Sequence, residues 1–77
     1  MHGMEVLTMT QEIADRIRAA RKAKSLTQMQ LGALLGYEGK VGEVTVARWE
    51  ANTRPVPLDK IRPLAKVLGL TIDELIP

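Results

Sequence analysis

Apolar residues recur along this chain at helical spacing. Ile13, Ile17 and Ala20 fall at i, i+4 and i+7, the repeat that lines side chains along one stripe of a helix. The spacing predicts a first helix from about Gln11 to Lys24. Thr10 can cap it, Glu12 suits the positive end of its dipole, and arginine and lysine fill its last turns. Leu31, Leu34 and Leu35 share one face of a second helix, which Thr27 can open and Gly36 can close. Val46 and Trp49, three apart, share a face of a third helix, expected over about Glu43 to Ala51. A fourth runs from Pro57 or Leu58 to Leu68, with Leu58, Ile61, Leu64, Ala65 and Leu68 as its stripe and Gly69 as its stop. Pro63 inside it predicts a kink or a loosely wound opening turn. Thr71 with Glu74 makes a capping box for a last short helix reaching Ile76. Only Val41 to Val46 looks like a strand, and its glycine and its lead into Ala47 to Glu50 argue against one.

The expected fold is therefore all-α: a compact bundle of four to five short helices. At its centre two short helices joined by a glycine turn form a helix-turn-helix. Residues 10–77 make one domain. Residues 1–9, with Val6, Leu7 and Met9 in no clear period, are read as a tail or an arm.

Composition narrows the chemistry. At 77 residues the chain is near the size where one core barely outweighs chain entropy. It has no Phe, one Tyr and one Trp, so the core must be aliphatic. Without cysteine there is neither a disulfide framework nor a thiolate metal site. The single histidine, His2, lies in the tail, and Ser25 is the one serine, so no nucleophile–base pair is available. Neither a metal nor a cofactor is expected, nor is an enzyme. No apolar run is long enough to span a membrane, and a cytoplasmic, nucleoid-associated protein is expected. A net charge of +2 does not by itself separate a nucleic-acid binder from any small domain. Its distribution says more. Arg16, Arg18, Arg21, Lys22 and Lys24 crowd one region, Lys40, Arg48 and Arg54 surround the third helix, and Asp59, Asp73 and Glu74 lie toward the C-terminus. A basic side opposite an acidic end suits a polyanion; a mixed solvated surface is the competing reading of charge alone.

The order Leu26-Thr27-Gln28, Gly32, Gly36, Val46 and Arg48-Trp49-Glu50 resembles the DNA-binding domain of phage repressors and Cro proteins, the Xre-like family. The resemblance continues through Pro57-Leu58 and Leu64 to Leu70 to Asp73-Glu74-Leu75, about Gln11 to Ile76 in all. One departure stands out. Aligning both Gly36 and Trp49 leaves about four residues too many within Tyr37 to Gly42, and these are expected to loop out within Glu38 to Val41.

The resemblance implies sequence-specific binding of double-stranded DNA by a prokaryotic or phage regulator, usually as a homodimer, with the third helix in the major groove. On that reading Glu43, Val44, Thr45 and Arg48 face bases. Arg48 can bond a guanine edge or, alternatively, a phosphate. Val44 can pack on a thymine methyl or shore up the inserted loop. Glu43 repels phosphate but can accept from cytosine. Thr27 and Gln28 at the second helix's N-terminus, Lys40 and Gly42 in the insertion, and Asn52, Thr53 and Arg54 after the third helix are placed against phosphates. Gln28 in the family often also braces the recognition helix. Ala51 stands where relatives usually carry a phosphate-binding asparagine. Arg21 and Glu50 fall where many relatives hold a buried ion pair. Ile72, Leu75 and Ile76, or Val6 and Leu7, are the apolar residues available for pairing. A second function class keeps the fold but changes the partner: an antitoxin or accessory module binding a toxin or other protein.

Overall fold

Thr10 opens the first helix as its spacing predicts, its Oγ1 accepting from the Ile13 amide. The computed structural model describes residues 10–77, and every regular element among them is a helix: α1 (Gln11–Ala23), α2 (Gln28–Leu34), α3 (Gly39–Glu50), α4 (Leu58–Leu68) and α5 (Ile72–Leu75). Capping boxes start α2, through Thr27 and Gln30, and α5, through Thr71 and Glu74. The first four helices end alike. A left-handed residue turns the chain, and the next amide reaches back to the carbonyl five residues before it: Leu26 to Arg21, Tyr37 to Gly32, Thr53 to Arg48 and Leu70 to Ala65. Gly36 and Gly69 hold two of these left-handed positions at no steric cost, whereas Ser25 and Asn52, at φ of 57° and 59°, hold the others. Asparagine tolerates that region and serine does so less well. Ser25→Gly is therefore expected to raise stability by up to ~1 kcal/mol. An unchanged or lowered thermal midpoint would show that the turn after α1 carries no strain.

The core is aliphatic around one indole. Ile13, Ile17, Leu31, Leu35, Val46, Trp49, Val56, Ile61, Leu64, Leu68 and Leu75 are buried together. Three expected core or surface assignments change. Leu34, placed on the inner face of α2, is 59% exposed; the seven-residue helix buries Leu31 and Gly32, and Leu35, its C-cap, fills the core next to them. Leu58 is 75% exposed because it is the first residue of α4, and Val56 just before it fills the core position. Leu75 is fully buried, so it belongs to the core and is unavailable for pairing. Val6 and Leu7 lie outside the described residues. Pro63 sits within an unbroken α4, whose first turn is tightly wound, with the Lys60 amide donating to Pro57.

The insertion is the largest correction. Residues from Gly39 onward do not loop out; they add a turn to the start of α3. About four residues approximate one helical turn of 3.6, so the addition preserves the facing of everything after it. Gly42, Val46 and Trp49 then follow at i, i+4 and i+7, and all three are buried. The added turn crosses α2 where both helices lack a side chain. A Cβ on Gly32 would lie 2.5 Å from the Gly42 Cα, so the two backbones touch.

Candidate nucleic-acid interface

Two faces of α3 do opposite work. Its inner face is locked by Val46 and Trp49, and Tyr37 meets the Trp49 ring edge-on at 6.1 Å between centroids. Lys60 holds that side from α4. Its ammonium lies 4.9 Å from the Tyr37 ring centre and donates to the Leu35 carbonyl at the end of α2. The outer face is open: Val41, Val44, Arg48 and Ala51 are exposed, with Thr45 and Ala47 half-buried beside them.

The angle of α3 is fixed by an ion pair. Arg21 of α1 grips Glu50 of α3 with two hydrogen bonds, Nε to Oε2 at 2.6 Å and Nη2 to Oε1 at 3.0 Å. Its Nη1 donates to the Leu26 carbonyl at 2.8 Å. The hydrogen bond to Glu50 raises the Arg21 pKa above its ordinary value, against an opposing desolvation effect. Gln28 joins from α2, its Nε2 donating to Glu50 Oε1 at 3.2 Å. One carboxylate thus ties three helices together, and no buried side-chain polar atom among the described residues lacks a partner. Arg18, Gln28, Ala47 and Ala51 line a cleft over this pair. Arg18 therefore brings a cation to the cleft that Ala51 also lines; the sequence pattern places it only within a basic cluster.

The remaining residues marked for contact divide into two groups. Lys40 Nζ pairs with Glu43 Oε1 at 2.9 Å, and the hydrogen bond with Glu43 raises the Lys40 pKa. That pairing offsets the repulsion Glu43 would offer a phosphate. Thr27, at the start of α2, and Asn52, Thr53 and Arg54, just after α3, are exposed, with Thr53 Oγ1 donating to the Arg48 carbonyl. Two placements differ from the sequence reading. Gly42 lies a full turn inside α3, buried against Gly32, so it is a packing residue and its amide does not face outward. Thr45 spends its hydroxyl proton on the Val41 carbonyl at 2.6 Å, which leaves lone pairs and a methyl to present. Arg16, grouped with the basic residues by sequence, instead binds Glu12 and the Glu74 carbonyl and ties α1 to α5.

No helix among the described residues is long and apolar enough to cross a membrane, and no cluster of metal-ligating side chains occurs among them. Known proteins share this architecture. The P22 c2 repressor, solved in complex with a synthetic operator, is 30% identical with a TM-score of 0.75, over 87% of this chain and 96% of that one. The restriction-modification controller protein C.AhdI from Aeromonas hydrophila is 32% identical with a TM-score of 0.72, over 86% and 90%. Hydroxypropylphosphonic acid epoxidase from S. wedmorenis is 27% identical with a TM-score of 0.75 over 94% of this chain, which spans only 36% of that enzyme's length. Curated protein sequences give no match. The helix-turn-helix family profile matches residues 17–75, most of the chain. The match and the shared architecture agree: this chain belongs to the Xre/Cro-type helix-turn-helix family.

Proposed function

We propose that the protein binds double-stranded DNA sequence-specifically as a transcriptional regulator, with α3 in the major groove. The observation that carries this reading is the division of α3. Its inner face is immobilised by Trp49, Val46 and the Arg21–Glu50 pair, while its outer face is uncovered and flanked by Arg48, Lys40 and Arg54. A major groove about 12 Å wide admits such a helix. The P22 c2 repressor, a structural neighbour solved in complex with a synthetic operator, supports the same partner. Arg48, Val44, Thr45 and Glu43 face bases on this reading. Gln28 and Thr27 at the start of α2, with Lys40, Asn52, Thr53, Arg54 and Arg18, grip phosphates. Two copies related by a two-fold axis would read half-sites ~34 Å apart, with the exposed Ile72 and half-buried Ile76 available for pairing. Such a protein works in the cytoplasm, at the nucleoid.

Selection from a pool of random duplexes, followed by fluorescence anisotropy and a salt titration, tests the reading. A selected duplex should bind with log Kd rising linearly in log salt, by about 0.9 per phosphate neutralised. On that duplex Arg48→Ala is expected to cost ~1–3 kcal/mol and to relax preference at one base pair. An equal loss on every duplex would instead reassign Arg48 to the backbone. A complex with a protein that survives high salt, with no duplex selected, would move the chain to the antitoxin or accessory class.

A further inference from the structure

The added turn of α3 changes what its outer face offers. At 100° per residue, Val41, Val44 and Arg48 fall along one stripe, and Val41 is 61% exposed where Val44 is 36%. Together with Lys40 and Thr45 they line a shallow groove on the outer side of the helix. The middle of this groove carries no hydrogen-bond donor. Thr45 directs its hydroxyl proton into the Val41 carbonyl at 2.6 Å, and the charges of Lys40 and Glu43 are paired at 2.9 Å. What remains between Lys40 and Arg48 is two isopropyl groups, with the threonine methyl as the only apolar group left on Thr45. Among the groups exposed in a major groove, the apolar one is the C5 methyl of thymine.

We propose that Val41 is a base-reading residue that packs on a thymine C5 methyl beyond the base pair met by Val44. The inference rests on the proposed docking of α3 in the major groove. Three residues at 1.5 Å rise put Val41 ~4.5 Å farther along the helix than Val44, somewhat more than one 3.4 Å base step. The two valines therefore address different base pairs, and the added turn lengthens the half-site read by one protomer. Arg48 at one end of the strip supplies attraction to a flanking phosphate, and the strip itself supplies discrimination by shape and dryness. A cytosine at that step has no methyl to fill the strip, so it forgoes the apolar contact that a thymine makes.

The test replaces each thymine of the selected half-site in turn with deoxyuridine, which removes only the methyl. Wild-type protein, Val41→Ala and Val41→Thr are compared by anisotropy. Alanine favours the helix and threonine keeps the valine shape, so both variants should fold. For wild type, affinity should fall about fourfold at a step beyond Val44's, the fold-change matching one buried carbon. Val41→Ala should lose that sensitivity and keep the one belonging to Val44; Val41→Thr should reduce it. Identical deoxyuridine profiles for wild type and Val41→Ala would overturn the assignment, as would a selected half-site with no thymine there. Failure to select any duplex is a different result, because it removes the docking of α3 itself.

Discussion

Glu50→Ala should unfold much of this domain. The change leaves the Arg21 guanidinium buried with only the Leu26 carbonyl to meet it, after removing both of its short bonds to a carboxylate. Stranding one partner of a buried pair costs about 3–5 kcal/mol, a large part of what a domain this small has. At roughly 4 °C or more per kcal/mol, the thermal midpoint should fall by about 12 °C or more. Affinity for a selected duplex should fall as well, at temperatures where the variant is still folded. The reason is Gln28, which donates to the same carboxylate and is thereby aimed from the first turn of α2. Two further variants separate the effects. Glu50→Gln keeps the shape and one acceptor and should lose less stability. Arg21→Met combined with Glu50→Leu removes both charges and should regain most of the midpoint, yet it leaves Gln28 unaimed and binding weakened. A Glu50→Ala protein that melts like wild type would show the pair to be an incidental contact.

That pair marks how far the sequence could be read. Arg21 and Glu50 are 29 positions apart in the chain, and no periodicity connects them; the family resemblance did. The caps were legible locally, because Thr10, Thr27 and Thr71 each need only an amide three residues on. Misplacements occurred where tertiary packing outweighed a local cue. Leu34 and Leu58 fit apolar stripes, but helix ends near the surface had other residues, Leu35 and Val56, to fill the core. Ser25 gives no turn signal comparable to glycine, yet it takes the left-handed position closing α1. The insertion failed for a specific reason. The loop expected within Glu38 to Val41 comes from matching Gly36 and Trp49 to the family's spacing, which leaves about four residues over. The local cue for helix there is Gly42-Val46-Trp49 at i, i+4, i+7, one buried stripe continuous from the added turn into the rest of α3. Glycine counted there as a breaker, when its role is closeness.

Closeness also makes the second large prediction sharp, because the two glycines of the α2–α3 crossing are not equivalent. A Cβ at Gly32 would meet the Gly42 Cα at 2.5 Å, its carbonyl carbon at 2.7 Å and its oxygen at 2.8 Å. All three are backbone, so no side chain can rotate away and the helices must separate. A Cβ at Gly42 would meet Gly32 backbone and the Tyr37 Cβ at 3.1 to 3.2 Å, which a shift of tenths of an ångström relieves. Both substitutions gain helix propensity of up to ~1 kcal/mol, which hides none of the difference between them. Gly32→Ala should therefore cost about 1–3 kcal/mol through overpacking, and Gly42→Ala distinctly less. Thermal melts of the two variants check this directly, and equal midpoints would mean the helices are not in backbone contact. The same pair probes the link from packing to recognition. Gly32→Ala pushes the added turn of α3 outward while Trp49 and Glu50 hold the far end, so the helix tilts. Contacts from Val41 and Val44 should weaken more than those from Arg48, and base preference should erode first at the half-site end the added turn addresses.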